Sequence, residues 1–155
     1  MDKRSYSVKA GKANLKVPRE FFYSDQHAWI DGKTGAVGVT DFFQLLLGDV
    51  VFVELVEAGT EVKRSGEIGH VEALKSVLDL YSPVSGSVVE VNPNVATSPE
   101  TINLSPYETG WLLKISPTNM TEELQFLMDA KSYAEYVRRE IRKERARKKR
   151  LQGYL

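Results

Sequence analysis

The amino-acid sequence predicts a mainly β protein with helices at its C-terminal end, and three observations predict it. From Pro18 to Ser116 the apolar residues fall in short runs, often of period two, and Gly, Pro, Asn, Asp or Ser clusters bound most of them. After Pro117 the period lengthens to that of a helix, with Leu124, Leu127 and Met128 on one face and Tyr133, Tyr136, Val137 and Ile141 on another. A chain of 155 residues is long enough for one core and needs no second domain.

Taken in order, residues 1–17 are mostly polar and basic, with Asp2 the only acid, and are expected to form a flexible arm. A mitochondrial leader would also be poor in acids, but this segment is short and lacks a convincing amphipathic face. Folded structure is expected from Pro18 to Val137. Phe21-Phe22-Tyr23 and Ala28-Trp29-Ile30 read as apolar anchors, and Asp31 to Gly35 supplies a hairpin turn toward Ala36-Val37-Gly38-Val39. Thr40-Asp41 caps a short helix from Phe42 to Leu47, and Gly48 closes it. That helix reads first as an apolar plug. Five apolar residues in six positions exceed what one buried face can use, so Leu45 or Leu46 is expected at the surface as a contact patch.

Gly48 to Val62 reads as strand, turn and strand, and Lys63 to Gly66 as a polar turn. Glu67 to Glu72 then ascends toward Lys75, Asp79 to Tyr81 descends from it, and Ser82 to Gly86 breaks the strand before Ser87 to Val91. The Val-rich strands led by Gly48 and Gly86 form a weak internal repeat, and two such halves facing each other place Lys75 at one end of a sandwich. Residues 92–106 read as a long loop packed on the β domain. Gly110 to Ser116 is the final strand, ended by Pro117. Asn119, with Glu122 three residues on, caps a helix, a second helix begins near Ser132, and residues 138–155 form a basic helical tail.

Composition narrows the chemistry. There is no cysteine, so the chain has no disulfide and no thiolate of its own, and any redox-active sulfur must arrive on a cofactor. No apolar run is long enough to cross a bilayer and none resembles a secretory signal, which points to a cytoplasmic protein with no membrane partner. The net charge of zero hides an asymmetry. Arg138 to Arg150 holds nine basic residues against Glu140 and Glu144, a balance of +7, which leaves −7 for the rest. Dense Lys and Arg can bind phosphate, but no aromatic residue interleaves the run to stack on bases, so nucleic acid is not the expected partner. His27 and His70 are the only histidines and, without cysteines or a clustered carboxylate pair, make a poor metal site. No nucleophile motif, phosphate loop or dinucleotide fingerprint is present, so the chain reads as a non-enzyme.

Lys75 stands alone between two apolar-alternating halves. An exposed lysine is a poor nucleophile near neutral pH, so the better reading is that it is acted upon: an enzyme bringing an activated acyl group amidates it, removing the charge and leaving a long arm. Glu72-Ala73-Leu74-Lys75, followed by Asp79-Leu80-Tyr81-Ser82-Pro83-Val84-Ser85-Gly86, resembles the lipoyl-lysine hairpin of glycine cleavage system H proteins. That family usually has Glu-Ser-Val-Lys, so the Glu and the Lys agree here and the two residues between them differ. Biotin carriers place Met on both sides of their lysine, and Leu74 and Ser76 are not Met. The resemblance extends through Val39-Thr40-Asp41, Gly48 to Leu55 and Tyr107 to Leu112, over roughly residues 20 to 140.

The resemblance implies a barrel-sandwich hybrid with flanking helices, lipoate on Lys75, and Glu72 and Gly86 as marks for the lipoate-attaching enzyme. It implies an aminomethyl cargo received from a glycine decarboxylase, passed to an aminomethyltransferase, and a carrier reoxidised by dihydrolipoamide dehydrogenase. The family also shelters its loaded amine with the Glu of a His-Glu-Trp run and the His of a Thr-Asp-His run. Those positions are Ala28 and Phe42 here, and with His70, which alternates onto the face of Glu72, they are the expected arm cleft. Ala28 and Phe42 carry no charge to hold an ammonium. An alternative follows: an H-like lipoate-binding protein that carries sulfur for a heterodisulfide-reductase-like complex. A third reading, of another class, is a non-lipoylated scaffold or nucleic-acid-binding protein acting through its tail.

Overall fold

The computed structural model describes residues 3–153 and is built from three sheets and five α-helices among them. The first sheet is a hairpin of β1 (Ser5–Ala10) and β2 (Ala13–Pro18). It corrects the expectation of a flexible arm. Val8, Leu15 and Val17 alternate onto one face of this hairpin and are buried, so a segment that looked merely polar and basic has a period-two apolar face. Lys16 donates its backbone N–H to Asp41 Oδ2 at 2.8 Å, and its carbonyl accepts from the Tyr107 hydroxyl at 2.6 Å. Met1 and Asp2 of the expected arm, and Tyr154 and Leu155 of the expected tail, lie outside the described residues.

The chain then makes β3 (Phe22–Tyr23), β4 (Ala28–Ile30) and β5 (Ala36–Val39), followed by α1 (Asp41–Leu47). As expected, Thr40 caps α1, its Oγ1 accepting from Phe43 N, and Gly48 ends it at φ 88°, a left-handed conformation that favours glycine. β6 (Val50–Leu55) enters a second sheet, and a turn at residues 57–60 carries the chain to β7 (Glu61–Val62) in a third. β8 (Glu67–Ala73) and β9 (Val77–Tyr81) make the lysine hairpin, and β10 (Gly86–Val91) leads away from it. Residues 92–106 hold two short helices, α2 (Pro93–Thr97) and α3 (Thr101–Leu104), where a loop was expected. Buried Asn92 organises them: Oδ1 accepts from Asn94 N, and Nδ2 donates to the Thr109 and Trp111 carbonyls at 2.9 and 2.7 Å.

After β11 (Leu113–Pro117) comes the single turn α4 (Met120–Glu123), with Asn119 as its cap, and then a 3-10 turn over Leu124–Phe126. The longer helix expected through Met128 does not form. Instead Tyr23 and Met128 exchange backbone hydrogen bonds of 2.9 and 2.8 Å, drawing the segment into an extended bridge. α5 (Ala130–Gln152) is one helix of 23 residues and runs unbroken across the boundary expected at residues 137 and 138.

The order β3-β4-β5-β11-β10-β7 forms the larger sheet and β6-β8-β9 the smaller. Between them lies an aliphatic core that includes Ile30, Val53, Ile68, Val71, Leu80, Val88 and Ile115. A second, aromatic core joins the hairpin β1–β2 to α5 through Tyr23, Trp29, Phe42, Tyr133 and Val137. Tyr23 stacks on Tyr133 with ring centroids 4.5 Å apart, and Arg138 Nη2 donates to the Ser7 carbonyl at 3.2 Å. No helix among the described residues is long and apolar enough to cross a membrane.

The buried hairpin predicts that Leu15→Ala lowers stability by about 3 kcal/mol, as for other buried leucines. Urea denaturation measures this; a free arm would leave the midpoint unmoved.

Candidate functional site

β8 is the central strand of its sheet, paired with β6 on one side and β9 on the other. The last paired residues are Glu72 and Val77, and Ala73 N donates to Ser76 O at 2.8 Å, so Leu74 and Lys75 occupy a tight turn at the tip. Leu74 is 80% exposed and Lys75 is exposed as well, with no carboxylate within ion-pair distance among the described residues. The base of the turn is fixed from outside the sheet: Ser76 Oγ donates to the Leu47 carbonyl at the end of α1, 3.1 Å away. Asn103 supports the same helix end, its Nδ2 donating to Gly48 O at 2.9 Å and its Oδ1 accepting from Val50 N at 2.8 Å. A flexible side chain thus springs from a rigid mount.

Glu72 lies on the outer face of β8, half-exposed, opposite Phe52 of β6. His70 shares that face, with Nε2 3.6 Å from Glu72 Oε1 and its ring centroid 6.0 Å from that of Phe52. Exposed Val51, Phe52, Leu74 and Val77 add apolar surface around the tip. Leu45 and Leu46 of α1 are 43% and 51% exposed, as the apolar excess in that helix predicts.

Ala28, Phe42 and His70 each line a different cavity. Ala28 is buried in β4 opposite Val39, its N–H donating to Ser24 Oγ at 3.2 Å, and borders a void of about 10 Å³. Phe42 packs its edge on His27, centroids 4.8 Å apart, and faces a groove beside α5. His70 belongs to the smaller sheet. Alternation along β8 placed His70 and Glu72 on one face, as the structure has them.

A sequence profile of the family described as Glycine cleavage H-protein matches residues 21–140. The chain belongs to the glycine cleavage H-protein family. It is 47% identical over 127 residues to a probable glycine cleavage system H protein of Pyrococcus furiosus, covering 79% of this chain and 93% of that one. To a glycine cleavage system H protein of Symbiobacterium thermophilum it is 49% identical over 124 residues, covering 79% and 96%. The crystal structure of an H protein from Mycobacterium marinum superposes with a TM-score of 0.70 at 38% identity, covering 77% of this chain and 98% of that one. The likeness includes the barrel-sandwich fold of lipoyl carriers. As an H-protein family member the chain is a carrier subunit of the glycine cleavage type rather than an enzyme.

An H-type carrier needs an accessible lysine on a fixed turn, and the hairpin at Lys75 fits that group: the side chain is exposed and the turn is braced by Ser76. Gly86 has a packing role of its own. It is buried in β10, paired with both Pro117 and Val62, and a Cβ there would run into the Ser116 carbonyl oxygen and Ile115 Cγ2. Its place eleven residues beyond Lys75 fits close strand packing.

Two features escaped the sequence reading. One is the network beneath Phe42, where the Tyr133 hydroxyl lies 2.7 Å from both His27 Nδ1 and Thr40 Oγ1. His27 adopts φ 65° to reach it. The other is the groove itself, whose far wall comes from α5. The only sequence signal for it was Ile141, the last apolar residue on the helical face.

Burial drives the His27 imidazole down from its usual 6.5 to about 4, against the opposing pull of Glu140 and Asp25. The unfolded chain therefore takes up this proton before the folded one does. The stabilisation held by neutral His27 is complete above about pH 6.5 and is lost as pH falls toward 4. Asparagine tolerates the left-handed backbone. Urea midpoints at pH 7 and pH 5 should differ more for the natural chain than for His27→Asn, and equal differences would show that His27 is not the titrating group.

Proposed function

We propose that Lys75 is amide-linked to lipoate and that the chain is a swinging-arm carrier. The observation that carries this reading is an exposed lysine at the tip of a hairpin whose first strand, β8, is paired on both sides and whose base is bonded to α1. Bound there, lipoate would supply a dithiol on which a cargo travels, in glycine cleavage an aminomethyl group passed from a glycine decarboxylase to an aminomethyltransferase, with reoxidation by dihydrolipoamide dehydrogenase. Lys75 lends reach through its four-carbon stem. The sheet around β8 and the Ser76 bond to Leu47 keep the anchor point still, so the volume swept is set by the arm alone. Glu72 offers the lipoate-attaching enzyme an exposed carboxylate three residues before the lysine. The lack of cysteine leaves the cofactor's sulfurs without a competing thiol on the chain. We place this carrier in the cytoplasm.

A second reading rests on Ala28 and Phe42. Neither can offer an ammonium a carboxylate or an imidazole, and Ala28 is buried away from the groove. This favours a cargo other than aminomethyl, with sulfur carried to a heterodisulfide-reductase-like complex as the specific alternative. Glu72 and the intact hairpin speak against a non-lipoylated scaffold.

Intact-mass spectrometry after reaction with a lipoate-attaching enzyme should show one lipoyl group on the natural chain and none on Lys75→Arg. If the arginine variant is modified equally, Lys75 is not the site. Glu72→Gln should slow attachment about tenfold, the size of one lost charge-assisted hydrogen bond. Incubating the reduced, lipoylated chain with glycine and a glycine decarboxylase then separates the two cargoes: an aminomethyl adduct supports glycine cleavage, and its complete absence supports the second reading.

A further inference from the structure

A groove of about 530 Å³ runs between α1, the tip of the β1–β2 hairpin and the outer half of α5. Phe42, Leu45, Leu46 and Ile141 form an apolar floor, and Ala10 and Gly11 close one side. The open rim carries Glu144, Arg145 and Lys148. Glu144 is turned to Arg147, with Oε2 3.9 Å from Nη2, while Arg145 and Lys148 have no carboxylate within ion-pair distance among the described residues. The groove is therefore apolar within and positive at its edge.

Its position relative to Lys75 follows from one hydrogen bond. Ser76 Oγ bonds the Leu47 carbonyl, and Leu45 and Leu46 immediately precede Leu47, so the lysine tip stands at the end of the helix that supplies the floor. α1 has seven residues and spans about 10 Å. A lysine stem amide-linked to the carbon chain of lipoate is longer than that. The family match covers residues 21–140; Ala10 and Gly11 precede it, and Ile141, Glu144, Arg145 and Lys148 follow it. The wall and rim thus come from parts of this chain outside the stretch it shares with its family.

We propose that this groove seats the lipoyl-lysine arm when the end of the arm is negatively charged; the inference rests on lipoylation at Lys75 and on the second reading above, whose cargo is not an aminomethyl group, and it names the charge of that cargo. The aliphatic part of the arm buries against Leu45, Leu46 and Ile141, and the anionic end meets Arg145 and Lys148. A cationic end, such as an amine, meets the same two cations and is kept out. The site therefore sorts arms by charge and protects an anionic cargo between partner enzymes.

The absence of cysteine makes the test clean, because thiol alkylation can strike only the cofactor. Lipoylated chain is reduced and treated with iodoacetate, iodoacetamide or 2-bromoethylamine. In each case a cofactor thiolate displaces halide and forms a thioether, leaving an anionic, neutral or cationic arm of similar length. Intact mass first confirms lipoate on Lys75 and the alkylation; if no lipoate is found on Lys75, the carrier reading itself falls and the groove proposal with it. Amide chemical shifts of Leu45, Leu46, Ile141 and Arg145 are then compared among the three. The expected result is the largest shifts with the anionic arm, the smallest with the cationic arm, and their loss in an Arg145→Gln, Lys148→Gln double variant and at high salt. Equal shifts for the three arms, or anionic-arm shifts that persist in the double variant, would overturn the groove proposal while leaving Lys75 as the carrier lysine.

Discussion

A lysine proposed as a carrier must be free at its end and immobile at its root, and these demands conflict because a turn exposed to solvent on all sides has few partners to hold it. Here they are reconciled by placing the turn on the central strand of a three-stranded sheet and bonding its base sideways to another element. Ser76 to Leu47 is the contact on which this depends. It uses a carbonyl that the end of α1 would otherwise leave unpaired, so the same bond serves the helix and the hairpin. The helix end is held in turn by Gly48 and Asn103, which carry the restraint into the segment that packs beneath β6.

Much of the fold was readable because its elements obey local rules. Thr40 and Gly48 mark both ends of α1 by side-chain chemistry and backbone conformation, and the runs around Lys75 alternate as strands must. The failures are equally physical. The β1–β2 hairpin was missed because Val8, Leu15 and Val17 are few and scattered among lysines, and their alternation gains meaning only when an aromatic layer from α5 covers them. The helix expected through Met128 lost to a pair of backbone bonds with Tyr23, more than a hundred residues away. Gly86, notable in the sequence for its spacing from Lys75, lies where β7 and β11 pair on either side of it and leave no room for a Cβ. Of the site, the exposed hairpin turn at Lys75 was legible and the groove was not, since the groove joins residues from both extremities of the chain.

The charge separation seen in the composition acquires a location in three dimensions. The basic run does not trail from the domain; it continues the turns of α5 that bury Tyr133, Ala134 and Val137, and its outer half stands beside α1. Exposed pairs such as Lys143 with Glu140 add little energy individually. The helix continues past Ile141 largely because its inner half is already nucleated by packing, and because Arg, Lys, Glu and Ala extend a helix readily.

That mode of support has a consequence for α5 as a wall. A helix held at one end melts from the other, so order decays outward along it. Arg145 sits one turn beyond Ile141, and Lys148 nearly another. By that argument the inner cation is held more firmly than the outer, and the rim is graded rather than uniform. A helix-extending change near Arg150 would fill in the weak end without altering a single residue that lines the groove.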